Sequence, residues 1–502
     1  MIKINSVLIA DEIEQPCIDS LVKGGVNVVK KTKLPVNELI RELQKHDAVV
    51  VRSATKITRA VFEGCPNLKL VARAGTGVDN IDVDAGTENG TIVMNTPAGN
   101  SRSAAELTST LILSMSRNVP QGVASMKAGR WDRKLFMGTE VHGKTLAIIG
   151  LGRIGQIVAG QMQAFGMTTI GFDPMVSAET AAKSGIEWLP LEEIWKRADY
   201  ITVHVPLIPQ TKNLINLEVL RKCRKGVKII NVARGGIVNE EEIVEALNEG
   251  ICGGFAVDVY TEEPPTNRAL IDHPKVSCLP HLGASTIEAQ ERVAVEVAEN
   301  IVALNEGRGL FGALNGHCLG AVLDETKVQV VKAITDLAQV LASLTSTKAI
   351  KVKCPLSAKG VERAIPSAVI MGLLCQSGGR LNFVNAEKKG KELGYEVSTE
   401  FVSGAEFHIN AGGRTVSGYY SPAGTFISEI DGRKVPSPVL AMGVLAITLA
   451  TNGNSPILSD QLRTRVSVEY GLFGGGRLAL FEKLTGLELE EISRAYNVVQ
   501  FA

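Results

Sequence analysis

Three ionic side chains follow apolar runs in the middle of this chain: Arg234 after IINVA, Glu263 in the loop after GGFAVDV, and His281 after VSCLP. Histidine titrates near neutrality, so His281 can take a proton from a hydroxyl and later return it. A carboxylate beside the imidazole orients the ring and favours its protonated form, which gives Glu263 a task. A guanidinium grips a carboxylate through paired hydrogen bonds, and Arg234 suits that task. Base, orienter and anion clamp are together what oxidation of a 2-hydroxy acid demands. Taken singly, each has an ordinary reading as a solvated arginine, a surface acid or a loop histidine; the joint pattern carries the chemistry.

Such a reaction also needs an acceptor for the hydrogen. The run Gly150-Leu151-Gly152-Arg153-Ile154-Gly155 follows the apolar segment Lys144 to Ile149 and opens a helix through Val158 and Met162. In that spacing Gly150 permits a tight turn, Gly152 lets the backbone approach a pyrophosphate, and Gly155 lets helix and strand pack closely. Unpaired N–H groups at the helix start then face phosphate. Asp173 ends the next apolar run, 18 residues beyond Gly155, where a carboxylate accepts from ribose hydroxyls and repels a 2′-phosphate. The expected cofactor is therefore NAD rather than NADP.

Positioning these groups requires a parallel sheet, because the carboxyl ends of parallel strands share one edge. Short apolar runs alternate with helical patterns from the start: SVLIA, VNVVK, AVVVR and LKLVARAG. The rhythm breaks at Asn95 to Arg102, a hinge before a helix over Ser103 to Ser116. A second alternating series runs from KTLAIIG to VSCLPHLG, and a capping box at Ser285 and Glu288 starts a helix that returns to the first domain. The expected fold class is α/β: a Rossmann-type doubly wound NAD domain (99–285), a flavodoxin-like discontinuous substrate domain (1–98 and 286–308), and an appended α+β region. That region divides into a regulatory-type domain (323–435), reached by a glycine-rich linker from about 307 to 325, and a small C-terminal α+β domain (436–502) compatible with a ferredoxin-like order.

Composition narrows the partners. Lysine and arginine (53) balance aspartate and glutamate (53), so no global field draws the chain to nucleic acid or an anionic membrane. The eight cysteines lack C-x-x-C pairs and read as reduced thiols, with no metal site expected. The longest apolar run, Val439 to Ala450, is too short for a bilayer span, and the N-terminus lacks the features of a targeting segment. A cytoplasmic protein is expected.

The segments ARAGTGVDNID, NTPAGNSRSAAE, GLGRIGQIVA, NVARGGIVNE, DVYTEEPP and PHLGAST, in that order over roughly the first 310 residues, make the chain resemble the D-isomer-specific 2-hydroxyacid dehydrogenase family. Within it the chain is most similar to the long form that oxidises D-3-phosphoglycerate to 3-phosphohydroxypyruvate. The resemblance implies that Arg234, Glu263 and His281 are the catalytic set, with His281 as proton acceptor. It assigns to the cofactor Thr76, Gly150, Gly152, Arg153, Ile154, Gly155, Asp173, Val232, Asp258, His281, Gly283 and Ala284. The loop Gly75, Gly77 and Val78 would meet the substrate carboxylate. Arg52, Ser53, Arg73, Asn100 and Arg133, with Arg234, are the remaining candidates for substrate contact, since a phosphate needs cationic donors. Val205 stands where relatives often carry threonine, and the likeness of the tail to the long form extends to about residue 435. A homodimer or homotetramer is implied. The alternatives are a glyoxylate or hydroxypyruvate reductase of the same family, and a NAD-sensing scaffold or corepressor without turnover.

Overall fold

The computed structural model describes residues 2–375 and 380–441 and the strands 444–448, 466–471, 477–481 and 497–500. The chain forms two compact units, one of Met1–Asn95 with Val295–Ala502 and one of Thr96–Ala294.

In the first unit, β1 (Ser6–Ile9), β2 (Asn27–Lys30), β3 (Ala48–Val51), β4 (Leu70–Arg73) and β5 (Ile92–Asn95) form a parallel sheet in the order β2-β1-β3-β4-β5. This is the flavodoxin-like order. The central strands read as unbroken apolar runs because helices cover both faces; all four residues of AVVV in β3 are buried. Each such valine stabilises the fold by about 1.5–3 kcal/mol relative to exposure.

In the second unit, β6 (Thr145–Ile149), β7 (Thr168–Phe172), β8 (Glu187–Trp188), β9 (Tyr200–Val203), β10 (Val227–Asn231), β11 (Cys252–Val257) and β12 (Val276–Cys278) form a parallel sheet ordered β12-β11-β10-β9-β6-β7-β8. The order reverses between β6 and β9, which is the switch point of a doubly wound fold. The hinge helix spans Ser101–Ser116 and so begins two residues before the expected start. The helix after β12 spans Ile287–Asn305, and its cap differs from the expected box: Thr286 Oγ1, not Ser285, accepts from the Ala289 N–H at 3.2 Å. Ser285 is spent in a turn, its N–H bonded to the Leu282 carbonyl at 2.9 Å.

The glycine-rich linker is not loose. Leu314 N–H donates to the Val93 carbonyl and Asn95 N–H to the Gly312 carbonyl, each at 2.9 Å, so the linker runs antiparallel along β5. Asn315 extends the seam, accepting from Val93 N–H at 2.8 Å and donating to the Thr91 carbonyl at 2.9 Å. A mixed sheet follows, built from β13 (Ala349–Pro355), β14 (Glu396–Val402), β15 (Phe407–Ala411), β16 (Arg414–Ser421), β17 (Gly424–Ile430) and β18 (Arg433–Leu440) in the order β14-β13-β15-β16-β17-β18. The helices Val328–Leu344 and Ile365–Leu373 share a hydrophobic core with it. The boundary expected at 435/436 falls inside β18. Four further strands, β19 (Val444–Thr448), β20 (Val466–Gly471), β21 (Arg477–Phe481) and β22 (Asn497–Gln500), pair antiparallel as β20-β21-β19-β22, the order that a βαββαβ unit produces. The helices expected between them lie outside the described residues.

Candidate active site

The glycine turn is shaped by contacts that exclude any side chain. Gly150 follows β6 at φ +100°, and a Cβ there would come within 2.5 Å of the His204 carbonyl oxygen and 3.0 Å of Val205 Cγ1. A Cβ on Gly155 would approach the Gly150 carbonyl oxygen to 2.1 Å, which fixes how closely the helix Arg153–Ala164 packs on the turn. A Cβ on Gly152, the residue capping that helix, would meet nothing within 4 Å, and among the described residues no side-chain cap is made at this helix start. The helix start therefore presents unpaired N–H groups to open space, where a pyrophosphate fits. Arg153 is exposed there, and Ile154 is half-buried.

Asp173 lies just past β7 and already holds the turn: its Oδ2 accepts from Leu151 N–H at 2.9 Å and its Oδ1 from Met175 N–H at 2.8 Å. A carboxylate has about four acceptor sites, so lone pairs remain for ribose hydroxyls. The residues present thus fit a dinucleotide on geometry as well as spacing.

The carboxyl ends of β10, β11 and β12, adjacent in the sheet, carry the three ionic groups in turn. His281 and Glu263 meet, with Nδ1 and Oε2 2.7 Å apart, while Glu263 Oε1 accepts from Tyr260 N–H at 3.1 Å. An ionised carboxylate only accepts, so Nδ1 carries the shared proton and Nε2 of the neutral ring offers a lone pair. The imidazole is about half exposed, as a group that must meet a substrate needs to be.

His281 holds a left-handed backbone, φ 56°, which is costly for a residue with a Cβ. Asp258 holds that turn. Fully buried at the end of β11, it accepts from Leu282 N–H at 2.7 Å through Oδ1 and from Gly283 N–H at 2.8 Å through Oδ2. Burial pushes its carboxyl above the usual value, and the two amides draw it back. Gly283 is tied a second time, its carbonyl accepting from Ser103 Oγ at 2.7 Å, and Val232 Cγ1 lies 3.4 Å from where its Cβ would be. The Ala284 carbonyl accepts from Gln290 Nε2 at 2.6 Å.

Arg234 sits one strand over. Buried Asn231 shapes its loop, donating to the Arg234 carbonyl at 2.8 Å and accepting from Ala233 N–H at 3.0 Å. Next to it a Cβ on Gly235 would fall 1.9 Å from the Tyr260 carbonyl oxygen, so this loop is pressed against the one that carries Glu263. In the same unit, Asn100 precedes the helix Ser101–Ser116 without capping it through its side chain, and Arg133 is exposed in a segment with Trp131, Leu135 and Met137.

The other expected residues lie in the first unit at the carboxyl edge of β3 and β4, where Val51 pairs with Arg73. Arg52 forms an ion pair with Glu14, and Arg73 donates to the Gly77 carbonyl. Ser53 is exposed beside Arg52. Gly75 (φ 152°), Gly77 and Val78 form the loop, which Asn95 steadies by donating to the Thr76 carbonyl. Sequence reasoning missed Glu14, Asp11, Asn80 and Asn231. Asp11 accepts from Arg52 N–H at 2.6 Å, and Asn80 donates to the Arg52 carbonyl at 2.7 Å. Only Asn231 gave a signal, as a polar residue closing an apolar strand.

Residues 109–283 match the family described as D-isomer specific 2-hydroxyacid dehydrogenase, NAD binding domain. With its two sheets in these orders and its length shared with the relatives below, the chain belongs to the D-isomer specific 2-hydroxyacid dehydrogenase family, NAD-dependent enzymes. It is similar to the D-3-phosphoglycerate dehydrogenase of Rattus norvegicus, 47% identical over 406 residues that cover 80% of this chain and 76% of that protein. The D-3-phosphoglycerate dehydrogenase of Bacillus subtilis is 44% identical over 310 residues, 62% of this chain and 58% of that one. The crystal structure of D-lactate dehydrogenase from Aquifex aeolicus complexed with NAD and lactic acid matches with a TM-score of 0.53 at 27% identity, over 60% of this chain and 96% of that one.

Proposed function

We propose that this chain oxidises D-3-phosphoglycerate to 3-phosphohydroxypyruvate with NAD, the entry to phosphorylated serine synthesis. The observation that carries the reading is the pairing of His281 with Glu263 beside the Arg234 loop, in a chain this similar to D-3-phosphoglycerate dehydrogenases. Bound NAD supplies the acceptor for the hydride from C2. His281 Nε2 takes the C2 hydroxyl proton, and Glu263 steadies the imidazolium that results. Arg234, with the N–H groups of Gly75, Gly77 and Val78, holds the substrate carboxylate and polarises the carbonyl being formed. Arg52, Ser53, Arg73, Asn100 and Arg133 serve the phosphate end.

The glycine turn, Arg153, Ile154 and Asp173 hold the adenosine diphosphate part, and Thr76, Val232, Asp258, Gly283 and Ala284 surround the nicotinamide. Asp258 works chiefly by fixing the turn that carries His281. We further propose a homodimer or homotetramer in the cytoplasm. Its support is the exposed apolar side chains of Val119, Val123, Met126, Trp131, Leu135 and Met137, close together in sequence, which a partner surface would cover. No helix among the described residues is long and apolar enough to cross a membrane.

A substrate panel read by the absorbance of reduced nicotinamide tests the assignment. Turnover with 3-phosphoglycerate well above that with glycerate or lactate is expected. Preference for an unphosphorylated acid would make the chain a glyoxylate or hydroxypyruvate reductase, and dinucleotide binding with no turnover on any acid would make it a scaffold.

A further inference from the structure

A cavity of about 430 Å³ lies inside the first unit, at the end of β4 and β5 opposite the Gly75 to Val78 loop. The four residues of β4, about 13 Å of strand, separate it from that loop. One wall is Lys3, Lys69, Gly90 and Ile92, the other Leu319, Leu323, Arg380 and Phe383, so the N-terminal sheet and the appended region close it together. Asn382 fixes the seam by donating to the Gly90 carbonyl at 2.8 Å. Gly90 is left-handed, and a Cβ there would strike Asn382 Nδ2 at 2.4 Å, so the approach depends on glycine.

Among the described residues the lining has three bases and no acid. Lys69 is paired with Asp47 at 2.8 Å, whereas Lys3 and Arg380 have no carboxylate partner among the described residues. Arg380 is the telling group. Its Nη2 reaches the Leu68 carbonyl at 3.3 Å, while its Nη1 is buried with no hydrogen-bond partner among the described residues. A guanidinium nitrogen withdrawn from water and left unpaired costs free energy that an acceptor would recover. The remaining wall is apolar: Ile2, Ile92, Leu319, Val322, Leu323 and Phe383.

The geometry points to a second ligand site, separate from the carboxyl edge, that takes a small amphipathic anion: an apolar body against Leu319, Leu323 and Phe383, and one phosphate or carboxylate on Arg380 and Lys3. Since its two walls come from the substrate domain and the appended region, occupancy clamps one to the other.

Line broadening of 4-fluorophenyl phosphate in ¹⁹F spectra of the full chain, with saturating NADH and 3-phosphoglycerate present, tests this. Binding at about 1 mM or tighter is expected, with 4-fluorobenzyl alcohol at least roughly tenfold weaker. Arg380→Gln should weaken the phosphate by roughly tenfold or more, Arg380→Lys should retain part of the affinity, and Leu323→Trp should fill the cavity and abolish binding. Absence of binding while the active site is thus saturated, equal affinity for the alcohol, or unchanged affinity in folded Arg380→Gln would each overturn the site and leave the cavity to solvent.

Discussion

At the scale of single residues, the reaction rests on where one proton sits. Because Glu263 accepts at Nδ1 of His281, the ring presents a lone pair at Nε2. His281→Ala should lower kcat by about 10²–10⁴, the usual range for a general base, and leave the dissociation constant for NAD within a few fold by fluorescence titration. Undiminished kcat would remove His281 from the reaction. Glu263→Gln keeps the shape but offers an amide; loss of a charge-assisted bond of about 1.5–3 kcal/mol predicts a 10- to 100-fold fall in kcat with KM nearly constant. For Arg234→Ala, steady-state kinetics should show a comparable fall in kcat/KM with any 2-hydroxy acid. The identities of these three residues were legible because each follows an apolar strand. Their supports were not. Asp258 shows its worth only when its buried oxygens are found on Leu282 and Gly283, and Glu14 lies 38 positions from the Arg52 it neutralises, a separation that no local pattern bridges.

Elements translate spacing into clearance. The glycine fingerprint predicts different tolerances at Gly152 and Gly155, and the contacts separate them. Gly152→Ala meets open space, so the melting temperature should hold while the added methyl stands where the pyrophosphate approaches and raises the NAD dissociation constant. Gly155→Ala drives a methyl to 2.1 Å from a backbone oxygen; the helix must move, and thermal unfolding should show a loss of several degrees. Equal melting temperatures for the two variants would refute the assigned division of labour. Strand order followed from the alternation of apolar runs and helices, since parallel strands buried on both faces have a continuous hydrophobic signature. Helix starts were less legible: Ser285 and Thr286 are both good caps, and the turn that positions His281 consumes the first and leaves the second for Ala289.

For the whole molecule, charge joins parts that are distant in sequence. Glu88, on the helix Val83–Asn89, pairs with both Arg59 and Lys388, and these partners hold its carboxyl down to about 2. A depressed folded value means the contribution is complete above the ordinary carboxylate value of about 4.5 and is lost as pH falls toward 2. Melting curves of wild type and Glu88→Gln should therefore differ at pH 7 and converge near pH 2, and a gap that persisted in acid would exclude this ion pair as its source. His204 works in the same direction: burial pulls its imidazole down to about 4, so it stays neutral through the physiological range and opposes folding once acid forces a charge on it. The tail was the least legible scale, because its contacts with the helix Val83–Asn89 and its cap run through single polar side chains, such as Asn382 on Gly90 and Asn385 on Glu88, with no periodicity to announce them.

The stretch from Gly312 to Asn315 has a practical consequence. By lying along β5 it acts as a hem, occupying amides and carbonyls that would otherwise seek another chain. Shortening the polypeptide to the end of the Ile287–Asn305 helix would unpick that hem and invite strand-to-strand aggregation, whereas stopping a few residues past Asn315 would keep the border sealed.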